Sequence, residues 1–114
     1  MKKPVVYLTL ILLLVVFVGS VMSANSRMGR REFRYYCYKQ CHYEGNGKTK
    51  VLTAASYTKM QWDYYFQNNM SQLKRQHPNG ELDEVDISER TLENIKAYVK
   101  QHALDSSRPE TCGS

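Results

Sequence analysis

The stretch Cys37-Tyr38-Lys39-Gln40-Cys41-His42 decides how this 114-residue chain is organised. It places two cysteines four positions apart and a histidine directly after the second. At about 100° per residue of an α-helix, side chains three or four positions apart lie within about 60° of each other around the axis. The two thiols are therefore predicted on one helical face, with the His42 side chain rotated about 100° beyond that of Cys41.

Two thiols on one face, followed by an imidazole, have the layout of a covalent haem attachment site. In such a site each thiol adds to a vinyl group of the porphyrin, and the imidazole binds the iron from one side. The usual motif has two residues between the cysteines, whereas this chain has three. The extra residue lengthens their separation along the axis from about 4.5 Å to about 6 Å, which flexible Cβ–S bonds and a slightly unwound turn can absorb.

Three other uses of the cysteines stay open. A disulfide between Cys37 and Cys41 would need a strained geometry within one helical turn. A zinc site would need two further ligands, and Cys112, His77 and His102 show no paired spacing. A thioredoxin-like redox motif would need the two-residue spacing and a βαβ context, which this sequence lacks.

The first 24 residues have the pattern of a targeting segment. Lys2 and Lys3 precede an apolar run, and Ser23-Ala24 resembles a signal peptidase site. Counted from residue 5 to residue 21, the run has 17 residues, which is the short limit for spanning a bilayer. We expect residues 1–24 to be a signal peptide, whose removal is favoured, or a retained anchor with membrane association through residues 4–21.

The remaining residues, 25–114, are predicted to form one small all-α domain of three helices. The first helix should cover residues 30–42 and the second residues 56–76, with Ser56 as its N-cap. About 90 residues support only a modest core, which a bound macrocycle would enlarge.

The third helix should start near Asp86 to Ser88 and run to about Leu104, with Asp86 and Glu89 as a capping pair. Its apolar positions recur at intervals of three and four residues, and His102 continues that stripe. The residues on this stripe are Leu92, Ile95, Val99 and His102. We therefore expect His102 to point inward, either as a hydrogen-bonded core residue or as a ligand.

Charge is divided between the two halves of the domain. Residues 25–77 carry 10 Lys or Arg against 3 acids, a net +7, and residues 78–114 carry 4 against 8, a net −4. The basic half contains the cysteine motif, so we expect it to dock an acidic redox partner by electrostatic steering. No nucleic acid is expected for an exported chain. No Ser-His-Asp, paired-carboxylate or phosphate-loop pattern occurs, so an enzyme is not expected.

The order of these parts resembles that of the small exported bacterial monohaem c-type cytochromes. The likeness covers residues 33–113 and includes the CxxxCH motif, the helix start Thr58-Lys59-Met60-Gln61-Trp62 and the tail 102–113. It implies a cytochrome c-like domain that transfers electrons through one covalent haem c, in the periplasm or at the outer face of the inner membrane.

The resemblance also implies roles for individual residues. Cys37 and Cys41 would form the thioethers, His42 would be the proximal iron ligand, and Met60 and Trp62 would lie near the cofactor. It does not fix the second axial ligand, because the loop before the C-terminal helix, residues 78–87, lacks the methionine often found there. The candidates, in order of preference, are His102, Met60, His77 and Met70.

The alternative function is that of a haem-free, disulfide-stapled exported interaction domain. In that case Cys112 would bridge to Cys37 or Cys41 and hold the C-terminal tail against the first helix.

Overall fold

The computed structural model describes residues 3–18, 23–43, 46–47 and 49–111. Within them the chain forms five α-helices, one π-helix and one 3₁₀ turn, and no β-strand. In chain order they are α1 (Lys3–Val18), α2 (Ser26–Glu32), the π-helix (Phe33–Lys39), the 3₁₀ turn (Ala54–Ser56), α3 (Lys59–Arg75), α4 (Glu81–Glu84) and α5 (Glu89–Gln101). The predicted all-α class is confirmed for this described part of the chain.

The apolar N-terminal segment forms α1. Among the described residues, no helix is both long enough and apolar enough to cross a membrane.

The first predicted helix begins earlier than residue 30 and changes type along its length. Asn25 caps α2, because its side-chain oxygen accepts from the backbone N–H groups of Arg27 and Met28. The chain then continues into the π-helix at Phe33. The predicted start was wrong because it was based on apolar periodicity, whereas the helix begins at its N-cap, Asn25.

Helices α2 and α5 pack closely, and Gly29 makes this approach possible. Gly29 is buried, and a Cβ atom built on it would overlap the backbone carbonyl of Asn94. Asn94 is buried too, and its amide joins the two helices. Its oxygen accepts from the backbone N–H of Asn25 over 2.8 Å, and its nitrogen donates to Glu32 over 2.9 Å.

The second predicted helix begins later than expected and is interrupted. Ser56 is not its N-cap, because Ser56 belongs to a capping box with Thr53, and Thr58 caps α3 through its own box with Gln61. The helical backbone breaks over residues 67–70, where Asn68, Asn69 and Met70 have φ of +50° to +61°. Asparagine tolerates this left-handed region of backbone conformation. Met70, the third of these residues, is kept in it by the burial of its side chain.

The third predicted helix is α5, which begins within the expected range and ends earlier than expected. Ser88, not Asp86, is the N-cap and accepts from the N–H of Thr91. The predicted Asp86–Glu89 capping pair is wrong, because Asp86 has φ of +53° and lies outside the helix. At the other end the helix stops at Gln101, and His102 is its C-cap.

The core lies between the π-helix, α3 and α5. Its centre is α5, where Ile95 and Val99 are the largest fully buried side chains. The buried cluster consists of Phe33, Ala54, Trp62, Phe66, Met70, Leu92, Ile95, Tyr98, Val99 and Ala103. Cys37 packs against this cluster, so the cysteine motif is attached directly to the core.

Candidate functional site

One pocket brings the cysteine motif together with a second histidine. Its walls carry the side chains of Cys37, Cys41, His42 and His77, and we refer to it as the thiol–imidazole pocket. The rest of its lining is largely apolar and comes from the π-helix, α3, α5 and the α4 region. These residues include Phe33, Trp62, Phe66, Leu82, Leu92 and Ile95. The pocket therefore combines two thiols and two imidazoles with a largely apolar surface.

The π-type winding accommodates the extra residue of the cysteine motif. The backbone N–H of His42 donates to the carbonyl of Cys37, five positions back, over 2.9 Å, which is the hydrogen bond of a π-turn. Such a turn holds about one residue more than an α-helical turn. Cys37 and Cys41 consequently line the same pocket although three residues separate them.

The loop after the motif fixes the His42 imidazole. Its Nδ1 lies 2.7 Å from the carbonyl oxygen of Lys50, and its own carbonyl accepts from the N–H of Leu52 over 3.2 Å. The carbonyl of Cys41 accepts from the side chains of Asn46 and Thr49. The described part of this loop thus folds back over the motif and sets the direction of the ring.

His77 enters the pocket from the turn that follows α3. Its Nδ1 lies 2.7 Å from the carbonyl oxygen of Leu73, one helical turn back. The centres of the His42 and His77 rings are 6.3 Å apart, and the ring planes are inclined at 80°. Two imidazoles from positions 35 residues apart in the sequence therefore face one pocket.

The hydrogen bonds decide which nitrogen of each ring carries the proton. A backbone carbonyl can only accept, so Nδ1 of His42 and Nδ1 of His77 are both donors. In the neutral rings, Nε2 then keeps its lone pair, and no described residue donates a hydrogen bond to it. Histidines that bind metals usually have this arrangement, with the second ring nitrogen held by a carbonyl or carboxylate.

Both cysteines of the motif are free thiols. The Cys37–Cys41 disulfide considered above is therefore not formed, and the proposed bridge to Cys112 lies outside the described residues. Burial, and after it the neighbouring Cys41, raises the pKa of the Cys37 thiol to about 12. Cys37 is accordingly a neutral, protonated thiol at physiological pH.

The other residues expected at the site are divided between the pocket and its surroundings. Trp62 lines the pocket, and its indole N–H donates to the carbonyl of Ala54 over 2.8 Å. Met60 is 81% exposed, and Met70 is buried in the core. Neither methionine, nor His102, is among the lining residues of the thiol–imidazole pocket.

His102 belongs to a separate cluster that holds the C-terminal tail. Its Nδ1 lies 2.8 Å from the carbonyl oxygen of Arg108 and 3.7 Å from a carboxylate oxygen of Glu110, and its ring packs on Tyr98. Glu110 is 7% exposed, and it pairs with Arg30 at 2.6 Å and with Arg34 at 3.5 Å. We call these residues the tail cluster. Sequence reasoning missed it, because Glu110 and Arg30 are 80 positions apart and neither has a local signal.

The side chains of the pocket include the types of group that a covalently attached haem would need, whereas the cavity they enclose is about 50 Å³. Among the described residues, no three His, Cys, Asp or Glu side chains are close enough to hold one metal ion. A structural zinc site takes four protein ligands, whereas haem iron takes at most two because the porphyrin supplies the other four. Two thiols for the porphyrin edge and one or two imidazoles for the iron are the groups required.

No protein-family model, curated protein or solved structure matches this chain. The interpretation of the pocket therefore rests on its own residues and their geometry.

Proposed function

We propose that this chain is an electron-transfer protein, not an enzyme, and that it carries one covalently attached c-type haem in a cytochrome c-like helical domain. The observation that supports this proposal best is the meeting of Cys37, Cys41 and His42 in one largely apolar pocket. Two thiols and an imidazole on one wall of a cavity are the groups that covalent haem attachment requires.

Each residue of the motif has a distinct role in the proposal. Cys37 and Cys41 would hold a haem through thioethers, and His42, whose Nδ1 donates to the carbonyl of Lys50, would bind its iron. Trp62 and Phe66 supply flat apolar surface from α3. Haem iron contributes a one-electron couple, whose potential these surroundings would tune.

Haem binding requires the pocket to widen. The cavity enclosed by these residues is about 50 Å³, whereas ligand pockets typically measure about 300–1,000 Å³. The α4 region forms one wall, and none of the four residues of α4 is buried. We therefore propose that the α4 region moves outward when haem is attached, while Phe33 of the π-helix and the buried residues of α5 keep their packing.

The proposed partner is an acidic redox protein in the periplasm or at the outer face of the inner membrane, reached through export by residues 1–24. Exposed basic side chains, among them Arg27, Arg31 and Lys39, lie on α2 and the π-helix that leads to the cysteines. Electrostatic steering by this surface predicts a bimolecular electron-transfer rate that falls steeply with salt. Arg31→Glu should reduce that rate at low salt, whereas Arg108→Glu, in the acidic half, should reduce it less.

The proposal is tested by producing the full chain in a host that attaches haem to exported proteins. Intact-mass analysis should show one haem per chain, retained in acid and denaturant, and the protein should cycle reversibly between ferric and ferrous spectra. The double replacement of Cys37 and Cys41 by alanine should abolish covalent haem. Cys112→Ala is the matched control and should keep a full haem complement.

A colourless wild-type protein from that host would contradict the proposal. So would haem that remains covalently bound in the double replacement, because the thioethers would then lie elsewhere.

A further inference from the structure

We infer that the outer side of α2 binds the anionic lipid headgroups of a bilayer. This side carries Arg27, Met28 and Arg31, with Tyr35 one turn further along, and we call these four residues the basic face. The inference goes beyond the proposed function and does not depend on haem. On a bilayer, the redox partner proposed above would approach from Lys39, at the cysteine end of the π-helix.

The packing of α2 determines which of its side chains face outward. Gly29 and Phe33, one turn apart, are buried on the side that meets α5 and the core. At about 100° per residue, the side chains of Arg27 and Arg31 lie about 160° around the axis from the position of Gly29. All four side chains of the basic face are accordingly exposed.

The positive charge of the basic face is not neutralised within the described part of the protein. The one acid of α2 is Glu32, whose carboxylate accepts from the Asn94 amide over 2.9 Å and so is directed toward α5. Among the described residues, no carboxylate lies within ion-pair distance of Arg27 or Arg31. The face is therefore complementary to an anionic ligand.

The kinds of side chain on the basic face suit the boundary of a bilayer. Guanidinium groups can bind lipid phosphates through two hydrogen bonds. A methionine and a tyrosine add apolar surface, and the tyrosine ring has a polar end for the headgroup region. Two arginines at an anionic surface should favour the docked state about thirtyfold relative to a neutral surface.

The preceding helix, α1, favours lipid over an acidic protein as the ligand. Its described apolar side chains are largely exposed, and Val5, Tyr7, Leu8 and Ile11 have exposed fractions of 61% to 65%. Exposed apolar surface of this kind marks a site of membrane or protein contact. Seven residues join α1 to α2, a connection that spans at most about 25 Å. A bilayer that takes up α1 would therefore hold the basic face close to its headgroups.

The test measures how fast hydrogen peroxide oxidises individual methionines of the full chain on vesicles. The vesicles consist of phosphatidylcholine alone or of phosphatidylcholine with phosphatidylglycerol, and mass spectrometry of peptides follows the oxidation. Met28, which is 46% exposed, reports on the basic face, and Met60, 81% exposed on α3, is the internal reference. On the anionic vesicles alone, oxidation of Met28 should slow about threefold or more, with Met60 unaffected. Added salt should remove this protection.

Two double variants locate the effect. Arg27→Glu with Arg31→Glu should abolish the protection of Met28 on anionic vesicles. Lys74→Glu with Arg75→Glu is the matched control, because it makes the same change in net charge at the exposed end of α3 and should keep the protection. If the first double variant does not fold, the salt dependence of the wild-type protein decides.

Equal oxidation of Met28 on the two kinds of vesicle would overturn the inference, as would protection that persists at high salt. Protection by polyglutamate added to the neutral vesicles, without protection by anionic lipid, would assign the face to an acidic protein and would also overturn it. Haem content does not enter these measurements. Failure of the inference would therefore leave the proposed function standing, and a wild-type protein without covalent haem would leave the inference standing.

Discussion

His77 and His102 make the same local hydrogen bond in two different surroundings. In each, Nδ1 donates to a nearby backbone carbonyl, that of Leu73 at 2.7 Å and that of Arg108 at 2.8 Å. His77 then faces His42 across an apolar pocket lined by two thiols, whereas His102 lies beside the Glu110 carboxylate in the tail cluster. The difference teaches that the long-range surroundings, and not the local bond, separate a candidate ligand from a structural histidine.

The tail cluster and the thiol–imidazole pocket should therefore respond differently to mutation. Changes in the tail cluster should alter the free energy of unfolding and leave haem spectra intact. Changes in the pocket should alter the spectra.

The largest effect should come from Gly29→Ala, because α2 and α5 support both regions. The added Cβ would overlap the backbone carbonyl of Asn94, which cannot move aside as a flexible side chain can. We expect a loss of about 3 kcal/mol or more in the free energy of unfolding, at the upper end of overpacking costs. Urea denaturation followed by circular dichroism measures this loss. The neighbouring exposed change Arg27→Ala is the control, and an equally stable Gly29→Ala protein would refute the packing described here.

The next effect should come from Glu110→Gln in the tail cluster. The buried carboxylate accepts from Arg30 over 2.6 Å, and an amide removes the charge while keeping the size. We expect a loss of about 2 kcal/mol, the range for hydrogen bonds to charged groups, since Arg30 is partly exposed and can be rehydrated. Thermal unfolding measures it, with exposed Glu93→Gln as the matched control. A change in the haem spin state of the Glu110→Gln protein would contradict the prediction that the tail cluster does not affect the haem site.

Because of Tyr98, the stability contributed by the tail cluster should depend on pH in the alkaline range. Burial, and after it the nearby Glu110 carboxylate, raises the pKa of Tyr98 to about 12 from a usual value near 10. Since the folded-state pKa is the higher one, this contribution to stability is complete below about pH 10 and is lost as the pH rises toward about 12. Ultraviolet titration should show a tyrosine that ionises about two pH units after the exposed ones, and Tyr98→Phe should lack this step. A wild-type titration without a late step would contradict the burial of this phenol.

The smallest effect should come from Met60→Ala. Because its side chain is 81% exposed, we expect a stability change within about 0.5 kcal/mol and an unchanged haem spectrum. Denaturation and visible absorption measure the two quantities. A shift in potential or spin state would return Met60 to the candidate axial ligands.

The sequence was sufficient for the parts of the structure that depend on short-range patterns. The helical class and the cysteine motif at a helix end follow from spacings of three and four residues. The caps were less predictable, because Ser56, Thr58, Asp86 and Ser88 are all suitable by type, and competing local hydrogen bonds decide among them. The break in α3 depends on the burial of Met70, which only the assembled core provides.

The pocket could be predicted in part for a similar reason. Cys37, Cys41 and His42 are adjacent in the sequence, and the π-turn that adjusts their spacing keeps them on one wall. His77 is distant in the sequence and lies in a turn with no periodicity, so nothing local connected it to His42. Helical periodicity favoured His102 instead, because His102 continues the apolar stripe of α5. Periodicity could not show that α5 ends at Gln101 and that His102 contacts the tail.

Peptide mapping of the haem-loaded chain tests the central claim most directly. Trypsin cuts after Arg34, Lys39 and Lys48, so digestion of the unfolded protein places Cys37 in the peptide 35–39 and Cys41 in the peptide 40–48. If one haem joins both cysteines, mass spectrometry should find the two peptides as a single haem-bearing species that strong reductant does not separate. Two free peptides without haem, or a joined pair that reductant separates as a disulfide, would contradict the account.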